Sequence, residues 1–293
     1  LLFWVGWKLV RADLIPDMLA TRAAAGPGRR SLFERWTRGF DGTPPAVAAN
    51  EERIHRLAPL YAVLYALVFS LVAFDGIMAL QPHWFSNLLG GFYFMGSFLG
   101  AHMLLALMSM YGAGQLGISD LISPKQRHDL GKLCFGFTVF WTYLMWAQFL
   151  VIWYGNISEE THWMRLRLMD PWKGLTLSVV ALMFFLPFFG LLSRAAKVYL
   201  PTMALFATCT VVGLWLHRYL EIYPSIYGAA ANLPFGVWEL AIGLGCLGLW
   251  GLCYIAFMDA FPRMRVTLIT SPYRDEVQVP VDPKTMEPLP AHE

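Results

Sequence analysis

Ionisable side chains occur inside long apolar runs of this sequence, where they are costly. His102 lies near the middle of the run from Leu89 to Tyr111 and is the most deeply placed of them. A charged group at the centre of a hydrocarbon layer costs about 2.5–3.5 kcal/mol on insertion scales, so such groups usually face a bundle interior or water. His102 is therefore a candidate for proton relay or for a hydrogen bond to a quinone. The alternative is a neutral histidine bonded to a neighbouring helix.

Four more ionisable residues lie nearer the ends of apolar runs. Asp75 falls in the outer third of its run, where a carboxylate could take part in proton transfer or simply reach interfacial water. His217 and Glu221 are four residues apart and share a helix face, and Arg218 and Glu221 are three apart and could pair. We interpret this group as a proton exit or the rim of a quinone pocket, with ordinary interfacial anchoring as the alternative.

Five weaker candidates lie between His102 and His217 in the sequence. Thr138, Thr142 and Gln148 follow one another along a single apolar run and either line a hydrated path or tie helices together. Glu159 and Glu160 come directly after that run. They are candidates for a proton outlet or a docking patch, and a solvated loop is equally compatible with them.

Membrane-spanning helices must position these residues. The chain is 57% hydrophobic and only 14% charged, with a mean hydropathy of +0.49, against about 25% charged in soluble domains. The run that follows His128-Asp129 is about 25 residues long, enough to cross a hydrocarbon core of ~30 Å. We predict an all-α polytopic transmembrane helix bundle with one truncated span and six full spans at residues 57–80, 90–112, 130–154, 173–193, 198–221 and 236–258.

The remaining segments are predicted from length and composition. Residues 1–7 are expected to be the end of a truncated transmembrane helix, and residues 8–56 a cytoplasmic basic loop. Within that loop, Asp13 to Ala25 is predicted to form an interfacial helix interrupted at Pro16. Residues 57–258 form the six-helix region, and residues 259–293 are expected to be a proline-rich cytoplasmic tail.

The distribution of lysine and arginine predicts the orientation. With residues 8–56 in the cytoplasm, 18 of the 22 Lys and Arg residues fall on the cytoplasmic side and four on the other. Because loops rich in these residues stay inside, we expect the C-terminus to be cytoplasmic and Glu159 and Glu160 to face outward.

No redox centre is expected within this chain. The four cysteines lie in apolar runs without CxxC spacing, and there is no CxxCH motif for covalent haem. His102 and His217 differ in predicted depth by roughly 10 Å, so they are poorly placed to ligate one haem b. The b-type haem alternative would be recognised by its optical spectrum.

One long motif resembles a known family. The segment KQRHDLGKLCFGFTVFWTYLMWAQFLVIWYGNISEETHW (125–163) resembles a signature of the NrfD-like, polysulphide-reductase-type membrane subunits of bacterial alternative complex III. The segments FDGIMALQPHWFSNLLGGFYFMGSF (74–98) and LPFFGLLSR (186–194) support it. The resemblance covers roughly residues 55–225 and is closest to the second of the two NrfD-like subunits.

The resemblance implies a respiratory function in the bacterial inner membrane. Such complexes oxidise menaquinol or ubiquinol and pass the electrons to a cytochrome c or similar acceptor. The expected partners are the other NrfD-like subunit, the iron–sulfur subunit, the c-type haem subunits, the lipid bilayer and quinone, with no nucleic acid. The chain would support quinone interaction, transmembrane proton translocation, or both.

Two alternatives remain open, a secondary transporter and a purely structural membrane anchor. Transporter folds commonly contain paired helix breaks at membrane depth and inverted repeats. Neither is evident in the sequence, which makes the transporter the weaker alternative.

Overall fold

The computed structural model describes residues 1–112, 122, 124–229 and 233–261. The chain divides into two compact units. Of the described residues, the first contains 1–65 and 234–261, and the second contains those between 66 and 233. The predicted tail lies almost wholly outside the described residues, which end at Phe261.

Residues 8–56 are not a loop, so that prediction is wrong in its secondary structure. Helix α1 spans Leu2–Thr21, a 3-10 turn covers Arg22–Ala24, and α2 spans Pro27–Trp36. Helix α3 begins at Pro44 and ends at Gly76. Which side of the membrane these helices occupy stays a prediction.

Helix α1 runs without interruption through Pro16, contrary to the sequence prediction. A proline has no N–H and so leaves the carbonyl four residues earlier without its helical donor. That carbonyl belongs to Ala12, and the side-chain amide of Asn50 on α3 donates to it at 2.8 Å. Because the freed acceptor is satisfied from another helix, the proline does not end α1.

The first unit has a small apolar core. Leu14, Ile15 and Met18 of α1 pack with Phe33 of α2 and with Phe261. Phe261 follows α11, the last described helix, which spans Val237–Ala260 and has no buried residue of its own.

Among the described residues, six helices are long and apolar enough to cross a membrane, which confirms the all-α polytopic class and makes the chain a multi-pass membrane protein. They correspond in order to the six predicted spans. Two are α3, which continues through a 3-10 turn at Met78–Leu80, and α11. Another is α4 (Leu88–Leu107), which continues as a π-helix at Met108–Gly112. Another is α7 (Lys173–Val180), which continues through a π-helix at Ala181–Phe185 into α8 (Leu186–Gly190). The remaining two are α5 (Pro124–Gly155) and α10 (Leu200–Tyr227). The short helices α6 (Ser158–Leu168) and α9 (Arg194–Val198) lie between them.

Helices α4, α5, α7 and α10 pack together in the second unit. Their core contains Leu99, Met103, Trp141 and Met183, each fully buried. The apolar side chains on the outside of the spans, such as Val151 and Leu177, are exposed, as expected for residues that meet lipid.

Two glycines let α4 and α10 approach closely. A Cβ at Gly100 would lie 2.4 Å from Leu214 Cδ2, and a Cβ at Gly96 would lie 3.2 Å from Arg218 Nη2. This small-xxx-small spacing is typical of close helix pairs in membranes. It places the α10 residues that follow Leu214 against the backbone of α4.

Substitution Gly100→Val should separate these two helices. We expect a loss of about 1–3 kcal/mol in the free energy of unfolding, as for overpacked cores. Titration of the purified protein with a denaturing detergent measures this change. Gly91→Val is the matched control, because a Cβ at Gly91 on the same helix meets nothing within 4 Å. Equal losses in the two variants would contradict the close-approach argument.

Candidate functional site

A buried carboxylate, Glu221, is the centre of the most polar region of the second unit. Its side chain is 2% exposed. Arg218 Nη1 donates to Glu221 Oε2 at 2.5 Å. Removing one partner of a buried ion pair costs several kcal/mol, so the Arg218–Glu221 pair is expected to stabilise the fold.

Arg218 also joins α10 to α4. Its Nη2 donates to the backbone oxygen of Tyr93 and to Ser97 Oγ, both at 3.0 Å. The guanidinium carbon stacks 3.6 Å from the centre of the Tyr93 ring. The absence of a side chain at Gly96 leaves room for this arrangement.

Arg167, near the end of α6, is a second cation in this region and is buried, with 4% of its surface exposed. Its Nε donates to the backbone oxygen of Leu220 at 3.1 Å, and its Nη2 donates to that of Glu221 at 2.8 Å. Burial lowers the pKa of Arg167 to about 9, and the Glu221 carboxylate partly opposes this shift. The group therefore stays charged at neutral pH.

The Leu220 carbonyl needs that donor because of Pro224. Pro224 lies inside α10 and cannot donate to the carbonyl four residues earlier, which is Leu220. Arg167 supplies the missing hydrogen bond from a different helix. Its Nη2 also donates to Ser225 Oγ at 2.8 Å, so it ties α6 to the end of α10.

His217 completes one turn of α10 beside Glu221. Its Nδ1 lies 3.7 Å from Glu221 Oε1, too far for a hydrogen bond, and neither atom has a hydrogen-bond partner. The imidazole contacts the rings of Phe92 and Trp141 in edge-on geometry, with centroid separations of 5.1 and 5.4 Å. A basic nitrogen and a carboxylate oxygen are thus both buried without a hydrogen bond.

A cavity of about 240 Å³ lies against this group. Its wall is mostly apolar and aromatic, with polar contributions from Gln148, Arg167, Thr176, His217 and Glu221. Gln148 enters from α5, is 8% exposed, and its Nε2 is buried without a hydrogen-bond partner. Small-molecule sites are usually apolar cavities with a few polar residues in their walls, and this cavity has that composition.

Four of the ten predicted site residues are brought together here, namely Gln148, His217, Arg218 and Glu221. The sequence placed Glu221 at the end of its span, whereas α10 continues to Tyr227 and buries it. Arg167 was not among the residues predicted for the site.

The other six predicted residues do not line the cavity. Thr138 and Thr142 donate to the backbone oxygens of Cys134 and Thr138, each at 2.9 Å, so their hydroxyls are bonded within α5. His102 Nδ1 lies 2.9 Å from the Phe98 carbonyl of its own helix and is flanked by the Phe98 and Phe137 rings. This arrangement favours the packing interpretation of His102.

The three remaining carboxylates lie at helix ends. Asp75 is exposed at the end of α3. Glu159 and Glu160 occupy the first turn of α6, and Arg165 and Arg167 the last. This order of charges stabilises a helix through its dipole, which gives the glutamates a local structural role.

No protein-family model matches the sequence, and no curated protein sequence matches it either. Among the described residues, no group of three or more His, Cys, Asp or Glu side chains is arranged to hold a metal ion. The resemblance to the NrfD-like subunits stays a prediction.

Glu221→Gln should destabilise the protein strongly, because it removes the carboxylate that neutralises the partly buried Arg218 cation. We expect a loss of about 3–5 kcal/mol in the free energy of unfolding, measured by denaturing-detergent titration. The control is Asp129→Asn, which breaks the exposed Lys132–Asp129 pair of the same i, i+3 spacing. We expect about 0–1 kcal/mol there. Similar losses of unfolding free energy in the two variants would show that burial does not strengthen the contribution of the Arg218–Glu221 pair to stability.

The role of Arg167 toward the proline-freed carbonyl can be measured with a double-mutant cycle. Arg167→Met should destabilise the protein less in a Pro224→Ala background, because that substitution restores a backbone N–H that can donate to the Leu220 carbonyl. We expect a coupling of about 1.5 kcal/mol, the lower range for a hydrogen bond to a charged group. Arg165→Met, an exposed change on α6, should show no coupling to Pro224→Ala. Strict additivity for Arg167 would contradict this role.

Proposed function

We propose that the chain is a membrane subunit of a bacterial respiratory quinol:acceptor oxidoreductase of the alternative complex III type, and that the cavity beside Glu221 binds a quinone head group. One observation carries the proposal. Gln148, His217 and Glu221 line an apolar cavity in the helical bundle, and each of them has a buried polar atom without a hydrogen-bond partner. The resemblance of residues 125–163 supplies the type of complex.

The size of the cavity suits a six-membered ring. A cavity of about 150 Å³ is enough to hold benzene in a protein interior, and this one has about 240 Å³. Phe92, Phe149 and Trp163 give it aromatic walls, which fit a flat ring by stacking or edge contacts. The isoprenoid tail would remain among the exposed apolar side chains of the spans.

The polar groups match the two states of a quinone. Gln148 Nε2 can donate a hydrogen bond to a quinone carbonyl oxygen. Glu221 Oε1 and His217 Nδ1 can accept hydrogen bonds from the hydroxyls of a quinol. When quinol is oxidised, it releases two electrons and two protons. In this proposal His217 and Glu221 receive the protons, and the two electrons pass one at a time to redox centres of a partner subunit.

Proton translocation is a second proposed role of the same residues. His217 and Glu221 are acceptors within one turn of α10, so protons released in the cavity would reach them first. His102, Thr138 and Thr142 are bonded within their own helices and give little support to a path through α4 and α5.

Quinone binding can be tested on the purified full-length chain in nanodiscs. Short-chain menaquinone and ubiquinone analogues should quench tryptophan fluorescence saturably, since Trp146 and Trp163 line the cavity. Gln148→Leu should weaken the affinity about tenfold, the effect of one hydrogen bond. The better-binding analogue identifies the quinone class.

Thr142→Val and His102→Leu serve as controls, because neither residue lines the cavity and Thr142 lies on the same helix as Gln148. We expect unchanged affinity in both. Equal weakening in Thr142→Val and Gln148→Leu, or no saturable quenching in the wild type, would contradict a quinone site and favour the structural-anchor alternative.

A further inference from the structure

A second cavity, of about 320 Å³, lies within the first unit and differs in chemistry from the first. Four of the residues that line it are cationic: Lys8, Arg11, Arg38 and Arg53. No Asp or Glu lines it among the described residues. None of its lining residues belongs to the proposed quinone site.

Three helices bring these cations together. Lys8 and Arg11 are three residues apart on α1 and share a face with Trp4, Trp7 and Ile15. Arg38 enters from the turn after α2, and Arg53 from α3. The sequence separates these residues by up to 45 positions, so the cluster exists only in the folded chain.

The hydrogen bonds that hold the helices leave most of the cationic groups available. Arg11 donates to the backbone oxygen of Trp36 from Nε at 3.1 Å and from Nη2 at 2.7 Å, which joins α1 to the end of α2. Asn50 joins α3 to α1 through Ala12, and Arg53 follows it by three residues on the same side of α3. Arg11 is therefore both a structural and a lining residue.

The cluster has no internal counter-charge. In the described part of the chain, none of Lys8, Arg11, Arg38 and Arg53 lies within 4.0 Å of an Asp or Glu oxygen. Lys8 Nζ instead lies 3.4 Å from the centre of the Trp4 ring. Four like charges around one cavity repel one another, and a bound anion would offset that repulsion.

We propose that this cavity binds a phosphate group, carried either by an anionic phospholipid or by a soluble phosphate. Guanidinium groups match phosphate oxygens in charge and in bidentate geometry. Basic pockets between helices of membrane proteins are suited to anionic head groups.

The surroundings favour a lipid as the source. Leu1 and Phe3 are 78% and 92% exposed, as expected for side chains that meet hydrocarbon. Trp4 and Trp7 are about half exposed and line the cavity. Tryptophans beside cations are typical of the level at which lipid head groups lie. A phospholipid could thus place its phosphate among the cations and its chains along the exposed start of α1.

The test compares two double variants that remove the same charge. Arg38→Gln with Arg53→Gln removes two exposed cavity cations, and Arg22→Gln with Arg35→Gln removes two exposed arginines of the same segment that do not line the cavity. Native mass spectrometry of the purified full-length chain, titrated with phosphatidylglycerol or phosphatidylcholine, measures retained lipid. We expect one tightly held phosphatidylglycerol, about 30-fold weaker in the cavity variant and unchanged in the control.

A competition arm distinguishes the two sources. Failure of millimolar inorganic phosphate to displace phosphatidylglycerol identifies a lipid site, and displacement identifies a site for soluble phosphate. If the glutamine variant does not fold, Arg38→Lys with Arg53→Lys keeps the charge, loses the bidentate geometry, and should show an intermediate loss. Equal loss in the two glutamine variants, or no preference for phosphatidylglycerol over phosphatidylcholine, overturns the proposal.

Discussion

A proline inside a helix frees one backbone carbonyl, and in a membrane protein that carbonyl has little water to bond. Two such prolines, Pro16 in the first unit and Pro224 in the second, meet that constraint in the same way. The carbonyl freed by Pro16 belongs to Ala12 and is bonded by Asn50, and the one freed by Pro224 belongs to Leu220 and is bonded by Arg167. In each case the donor comes from another helix, so a local defect becomes a connection between helices.

Each of these connections lies beside a candidate binding site. Arg167 is drawn to the Leu220 carbonyl and thereby brings a cation to the backbone of Glu221, at the edge of the apolar cavity. Asn50 joins α3 to α1 and thereby holds Arg53 beside Lys8 and Arg11. Polar groups that an apolar bundle would otherwise exclude are kept in place because the freed carbonyls require them.

The sequence was sufficient for the class of fold and for part of the site. Apolar runs located all six spans, since length and composition alone decide whether a helix can cross a bilayer. The i, i+4 and i, i+3 spacing correctly predicted the shared face of His217 and Glu221 and the Arg218–Glu221 pair. Residues 8–56 were wrongly predicted as a loop with one short helix, whereas α1, α2 and the first part of α3 occupy most of them. Pro16 was wrongly predicted to interrupt a helix. The residue that donates a hydrogen bond to the carbonyl freed by this proline is Asn50, which is 34 residues away in the sequence.

Arg167 is the site residue that the sequence did not predict. Nothing in its own neighbourhood distinguishes it from Arg165, which is exposed two residues earlier. The informative residue is Pro224, because a proline within a predicted span implies a carbonyl that needs a donor. That implication gives the position of the acceptor but not the identity of the donor, which depends on how α6 packs against α10.

His102 shows the converse: its depth suggested function, yet the Phe98 carbonyl of the preceding turn and two aromatic rings satisfy it locally. In an apolar bundle, a buried polar residue is therefore a stronger candidate for function when its own helix cannot satisfy all its hydrogen bonds. Glu221 is such a residue, because one of its carboxylate oxygens has no hydrogen-bond partner and it lies beside a cavity. His102 is not, because its own helix provides an acceptor.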